Sequence, residues 1–190
     1  MSLLLFYDTE TTGLPLWDRP SDDPHQPHLV QVAAALVDAD TRKEVASINL
    51  TVIPQAEIDP GAQAVHGITA DHARACGVTE PTAVQVLMEM WHQASARVGH
   101  VESFDARILR IALKRHAPGM ADPWKDGTAL CTYAAAKAHN ANHIPKKGAG
   151  SLVAVHQRYV GTGFADAHTA DADMRATIAV YWAMKDKGHV

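Results

Sequence analysis

The sequence predicts an α/β domain in which strands come first and helices follow, and three observations carry that prediction. Leu3 to Asp8 is an unbroken apolar run of strand length. Leu29 to Val37 (LVQVAAALV) and Val45 to Ile53 (VASINLTVI) repeat the pattern, the one joined to the other through Asp38-Ala39-Asp40 as in a strand meander. In the second half, apolar residues recur at helical spacing instead. At 190 residues, 47% hydrophobic and 20% charged, the chain has the size and composition of one domain spanning 1–190 with a full core.

Taken in order, the first strand is followed by Leu14 to His28, whose Pro15, Pro20, Pro24 and Pro27 exclude regular structure and make an exposed loop. Pro81 suits the first turn of a helix over Thr82 to Arg97, with Val84, Leu87, Met88, Trp91 and Ser95 at helical spacing and Trp91 in the core. Val98 enters a short extended segment, and Ser103 is placed to cap a helix from Phe104 to His116 with Phe104, Ile108, Ile111 and Ala112 on its apolar stripe. Thr128 to His139 reads as an Ala-rich helix, and Ser151 caps Leu152 to Tyr159 after the loop KKGAG. The last helix runs from about Thr169 to Lys185, with Met174, Ile178, Tyr181 and Met184 in register. No internal repeat is present.

The net charge of −4 gives no broad cationic footprint, so any phosphate binding must come from local basic residues or from metal ions held by carboxylates. Two cysteines, Cys76 and Cys131, make no disulfide framework, and Met-Ser-Leu-Leu-Leu lacks the basic start and long apolar stretch of a signal peptide. The expected location is therefore the reducing cytoplasm, and no apolar run reaches the roughly 20 residues needed to cross a membrane.

The stretch FYDTETTG, Phe6 to Gly13, ends an apolar strand in two acids. Side chains alternate along a strand, so Asp8 and Glu10 project to one side and Thr9 to the other. Two convergent carboxylates are relieved by protonation or by a hard divalent cation such as magnesium or manganese, whereas two solvated acids at a strand end need neither. Further acids occur in GHVESFDARIL, where Asp105 sits in a first helical turn, and in HTADADMRAT, which holds His168, Asp171 and Asp173. Asp173 borders the buried stripe of the last helix, while Asp171, about 160° around, faces solvent. His168 would lie about 140° from Asp173 in a regular helix, so the two share a site only if His168 stands on the loop before it.

FYDTETTG, GHVESFDARIL and HTADADMRAT, in that order and with AVHGIT (Ala64 to Thr69) between the first two, resemble the motifs of the DEDDh 3′–5′ exonucleases. That family includes bacterial proofreading subunits, ribonuclease T and oligoribonuclease. The resemblance covers nearly the whole chain and implies a ribonuclease-H-like α/β fold, a mixed five-stranded sheet flanked by helices. It implies that Asp8, Glu10, Asp105 and Asp173 gather two divalent metal ions, Mg²⁺ or Mn²⁺, with Asp8 bridging them, and that His168 is the general base. It further implies that Thr11, Thr12, Gly13 and Leu14 touch the terminal nucleotide and that His66 and Ile68 contact its base.

The family usually carries Asn after the histidine that opens its second motif. Here His100 is followed by Val101 and then Glu102, which reads as a solvated acid at a helix start. Lys146 and Lys147 offer a phosphate contact further along a strand, and Trp17 a stacking surface. The function implied is release of nucleoside 5′-monophosphates from the 3′ end of single-stranded nucleic acid, DNA favoured, in DNA repair or replication. An exoribonuclease of the same family, and a non-catalytic nucleic-acid-binding module on the same fold, are the alternatives. An aspartyl-phosphate phosphatase fits less well, because Glu10 stands where its D-x-D-x-T pattern has Asp. The chain ends 17 residues after Asp173, which favours a standalone enzyme over one tethered by a long tail, with a polymerase partner and a homodimer both left open.

Overall fold

The computed structural model describes residues 2–120, 122, 127–139 and 150–190. Lys146 and Lys147 lie outside the described residues. Six strands, one more than expected, form a single sheet in the order β4-β3-β2-β1-β5-β6. They are β1 (Leu3–Thr11), β2 (Leu29–Asp38), β3 (Glu44–Ile53), β4 (Val78–Thr79), β5 (Ala96–Gly99) and β6 (Ala129–Cys131). The first three pair antiparallel as a meander, whereas β4 runs parallel to β3, β5 to β1 and β6 to β5. The strand carrying the paired acids is thus interior to a mixed sheet.

Helices cover both faces. On one, α3 (Glu80–Trp91) and α4 (Glu102–His116) pack Leu87, Met88, Ile108 and Ile111 on Leu5, Tyr7 and Leu36. On the other, α7 (Ala170–Lys185) packs Met174, Tyr181 and Trp182 on Leu4, Phe6, Ala33, Ala35 and Val98. Burial on both faces explains why β1 and β2 read as continuous apolar runs. The three consecutive alanines of β2, Ala33 to Ala35, leave room for the bulky Phe6 and Tyr7 alongside. Two further helices, α5 (Thr132–His139) and α6 (Leu152–Tyr159), join α7 through Ala136, Val155 and Val180.

Several expected boundaries differ. The helix expected over Thr82 to Arg97 begins at Glu80 and stops at Trp91, because Ala96 and Arg97 are drawn into parallel pairing with Leu4 and Leu5. The first residues of the expected helix at Thr128 form β6, a strand of three residues too short to show a period. Two seven-residue helices, α1 (Pro60–His66) and α2 (Ala70–Cys76), are additional; Asp59 and Thr69 cap them. Ser103 does not cap α4: the helix starts two residues earlier than expected, at Glu102, behind Val101 in the left-handed region with φ 57° and no side-chain cap.

Glu80 closes the proline-rich loop. Its buried carboxylate accepts from Leu29 N–H (2.8 Å), Arg115 Nη1 (2.9 Å) and His116 Nε2 (2.7 Å), and lies 3.1 Å from His28 Nδ1. Burial alone would raise its pKa, but these hydrogen bonds and the Arg115 charge bring it down to about 2.

Candidate active site

The carboxyl end of β1 outruns its parallel neighbour. Pairing with β5 ends at Phe6↔Val98, while pairing with β2 continues to Thr11, so the last residues of β1 have one open edge. Asp8 and Glu10 project from the face that α7 covers, as alternation requires, and Asp173 in the first turn of α7 meets them there. One oxygen from each of the three carboxylates can be chosen so that all lie within 4.8 Å of one another.

What places Asp173 is a polar residue inside the apolar β2 run. Gln31 stands opposite Glu10, and its Oε1 accepts from the Ala170 N–H at the start of α7 (3.0 Å), while its Nε2 donates to Asn49 Oδ1 on β3 (3.0 Å). Sequence reasoning missed Gln31; the signal available was the lone polar residue in LVQVAAALV.

Asp105 arrives from the opposite face and is not one of the three clustered carboxylates. Its Oδ1 accepts from Thr9 N–H (2.9 Å) and Thr9 Oγ1 (2.7 Å), which satisfies a backbone donor on the open edge of β1 and fixes α4 to β1. Glu102 stands one turn before it, and here the expectation of a solvated acid is wrong. Glu102 is 6% exposed; Tyr7 Oη donates to its Oε1 at 2.7 Å, and Arg97 Nε pairs with the same oxygen. The Arg97 guanidinium also lies over the Trp91 ring, 5.5 Å from its centroid. A Cβ at Gly99 would come within 3.1–3.3 Å of Glu102, so the close seating of that carboxylate depends on glycine at 99.

His168 is exposed and stands just before α7 with φ 72°. Its backbone N–H points at both Asp173 oxygens, at 3.3 and 3.4 Å. His168 thus stands on the loop before α7, as expected, and it is its backbone N–H that meets Asp173. Asp171 instead pairs with Arg175 on the surface (3.0 Å).

Beside the acids lies an open groove of about 680 Å³ whose lining includes Glu10, Thr11, Gly13, Leu14, His66 and Phe104. A Cβ added at Gly13 would meet only Asp59 Cβ at 3.8 Å, so the protein itself leaves space there; what a side chain would occupy is the groove. Burial depresses the His66 imidazole pKa, partly offset by the Thr11 backbone. Two residues expected at the substrate are placed elsewhere. Thr12 is buried and holds the loop, its Oγ1 accepting from His28 N–H (3.0 Å). Ile68 packs into a small cluster with Val30 and Ala73 and does not line the groove.

The electrostatics are those of anions gathered without counter-charge. Burial pushes Glu10 up to about 8, with Asp173 and Asp105 adding to the rise. Asp8 is raised well above the carboxylate range by burial and then by Asp105, Asp173 and Glu10. Asp105 goes up to about 7 through burial, despite the Thr9 hydrogen bonds, and burial raises Asp173 against the pull of the His168 N–H. Three clustered carboxylate oxygens form a hard donor set that fits a divalent ion such as Mg²⁺ or Mn²⁺.

The sequence model of the exonuclease family RNase_T matches residues 5–181. The chain belongs to the RNase_T exonuclease family. The expected resemblance to the DEDDh exonucleases, and the ribonuclease-H-like fold that goes with it, hold for this member. Comparison with curated protein sequences finds no significant match. Among solved structures, E. coli exonuclease I is similar in fold. Its complex with a dT13 oligonucleotide gives a TM-score of 0.76 at 22% identity over 97% of this chain, and its zinc-bound single-stranded DNA complex gives 0.75 at 23% over 98%. A complex with dA16 gives 0.74 at 23% over 98%. In each case the match covers 41% of the exonuclease I chain, so this family member spans about two fifths of that protein's length. Among the described residues no helix is long and apolar enough to cross a membrane.

Proposed function

We propose that the chain is a metal-dependent 3′–5′ exonuclease that removes nucleoside 5′-monophosphates from single-stranded nucleic acid, with DNA as the favoured substrate. The observation that carries the reading is the convergence of Asp8, Glu10 and Asp173 at the open edge of β1, beside a groove roomy enough for a nucleotide. The preference for DNA is supported by the oligonucleotides dT13 and dA16 held by the similar exonuclease I.

Asp8, Glu10 and Asp173 would hold the metal, with Asp105 contributing through the charge it directs at Asp8 and Glu10. Two divalent ions, when bound, would supply an acidified water and neutralise charge at the phosphate and the departing 3′ oxygen. Thr9 keeps Asp105 from turning away, and Gln31 keeps the first turn of α7, and so Asp173, against β1. His168 takes the proton of the attacking water; its exposed ring sits on a backbone fixed to Asp173 and can pass that proton to solvent. Thr11, Gly13, Leu14 and His66, which line the groove, receive the terminal nucleotide.

Matched DNA and RNA oligonucleotides labelled at the 5′ end, incubated with magnesium, test the proposal. The expected outcome is a ladder shortening from the 3′ end with 5′-monophosphates released, faster on DNA. Faster loss of RNA would reassign the substrate to RNA, and retardation without shortening would leave a binding module.

A further inference from the structure

We propose that Trp17 is a base-stacking platform that receives a nucleobase of the single strand beyond the terminal nucleotide; this rests on the exonuclease reading above. Trp17 is 61% exposed and lies three residues beyond Leu14, which is 81% exposed and lines the catalytic groove. An indole left in water three residues from a groove-lining leucine forgoes its own burial, and the surrounding loop is built to keep it there.

The loop has no regular structure, yet its backbone is tied down on both sides of Trp17. Gln26, 2% exposed, donates from Nε2 to Leu16 O (2.9 Å) and Pro20 O (3.0 Å), and its Oε1 accepts from Leu16 N–H (3.0 Å). Arg107, two residues after Asp105 on α4, donates to Ser21 Oγ (2.8 Å), to Leu16 O (3.3 Å) and to Arg19 O. At the far end Arg115 Nη2 donates to Gln26 O (2.9 Å) and Pro27 O (3.1 Å). The helix that positions a catalytic carboxylate therefore also positions the segment bearing Trp17. Ordering entropy is lost on folding and not on binding, the condition under which a stacking surface contributes most.

Charge selects the part of the strand that fits. Asp18 directly follows Trp17, Asp22 and Asp23 belong to the same loop, and the guanidinium of Arg19 is turned to Asp23 at 3.3 Å. Such a surface repels a phosphate and offers a π face, so the matching group is a base. The contact should accordingly add affinity without adding salt dependence.

Binding in chelator, where hydrolysis plays no part, tests this. The chain has four tryptophans, of which Trp91 and Trp182 are buried and Trp124 lies outside the described residues, so the part of the intrinsic-fluorescence quench by a (dT)12 strand that is lost in Trp17→Ala is the part assigned to Trp17. Trp17→Ala should weaken (dT)12 binding by about 5- to 150-fold, the range expected for one stacked base, equally at low and moderate salt, and should remove most of the quench. An abasic strand of the same length should bind wild type and variant alike, and Trp17→Phe should recover much of the affinity. Unchanged (dT)12 affinity in Trp17→Ala, or an equal loss on the abasic strand, would overturn the proposal. A wild type that binds and quenches but never shortens a strand would count against the exonuclease reading and leave the platform standing.

Discussion

Neutralising Glu10 should stabilise the metal-free protein, the opposite of what removing a partly buried polar group usually does. Glu10 has a folded-state pKa of about 8 against an ordinary 4.5, because burial and the nearby Asp173 and Asp105 disfavour its charge. The folded chain therefore holds a proton that the unfolded chain releases, and stability falls as pH rises from about 4.5 to about 8. At about 1.4 kcal/mol per pKa unit the ceiling is about 5 kcal/mol at the top of that window. Screening by solvent at a partly exposed group reduces the expected figure to about 2 kcal/mol. For a chain of this size that is about 4–8 °C in Tm. Glu10→Gln should thus melt higher than wild type by that amount at pH 8 in chelator, and the gap should close at pH 5, where wild-type Glu10 is protonated. Magnesium should then raise the wild-type Tm, increasingly with concentration, and raise that of the variant less. Differential scanning fluorimetry at the two pH values, with and without metal, measures all of this. A variant that melts below wild type at pH 8 in chelator, or by the same margin at both pH values, would refute the reasoning.

His168→Ala should lower turnover by about two to four orders of magnitude and leave magnesium affinity nearly unchanged in titration calorimetry, since His168 is expected to act as a base and not as a ligand. A large loss of metal binding would instead place it in the metal shell. Glu102→Ala leaves Arg97 buried without its carboxylate and should cost about 3–5 kcal/mol, seen as a lower denaturation midpoint; a change under about 1 kcal/mol would show that the pair contributes nothing. Val101, β-branched with φ 57°, is strained, so Val101→Asn should gain about 1 kcal/mol, and a loss on urea denaturation would mean that the valine side chain has a packing role outweighing the strain.

What the sequence made legible follows from short, regular geometry. Asp8 and Glu10 share a side because a strand repeats every two residues, and Asp173 could be turned toward the core by the helical period of Met174, Ile178 and Tyr181. The environment of Glu102 was not legible in this way. Its partners Arg97 and Tyr7 are 5 and 95 residues distant, and only the folded sheet brings them under the first turn of α4. Gln31 was hidden for the same reason: its partners are Asn49 and Ala170 on two other elements. The misplaced helix boundaries at 97 and 128 arose where short parallel strands, β5 and β6, capture residues that by local preference would continue a helix. Ile68 was assigned to the groove by resemblance alone, and its own apolar character took it into the cluster with Val30 and Ala73.

End dependence tests the central claim most directly: that carboxylates converging at the end of β1 hold metal for hydrolysis at a 3′ terminus. A 5′-labelled linear strand and a covalently closed circle of the same sequence, each incubated with magnesium and with chelator, provide the comparison. Stepwise shortening of the linear strand from its 3′ end is expected in magnesium alone, with the circle intact throughout. Efficient cutting of the circle, or shortening that persists in chelator, would contradict it.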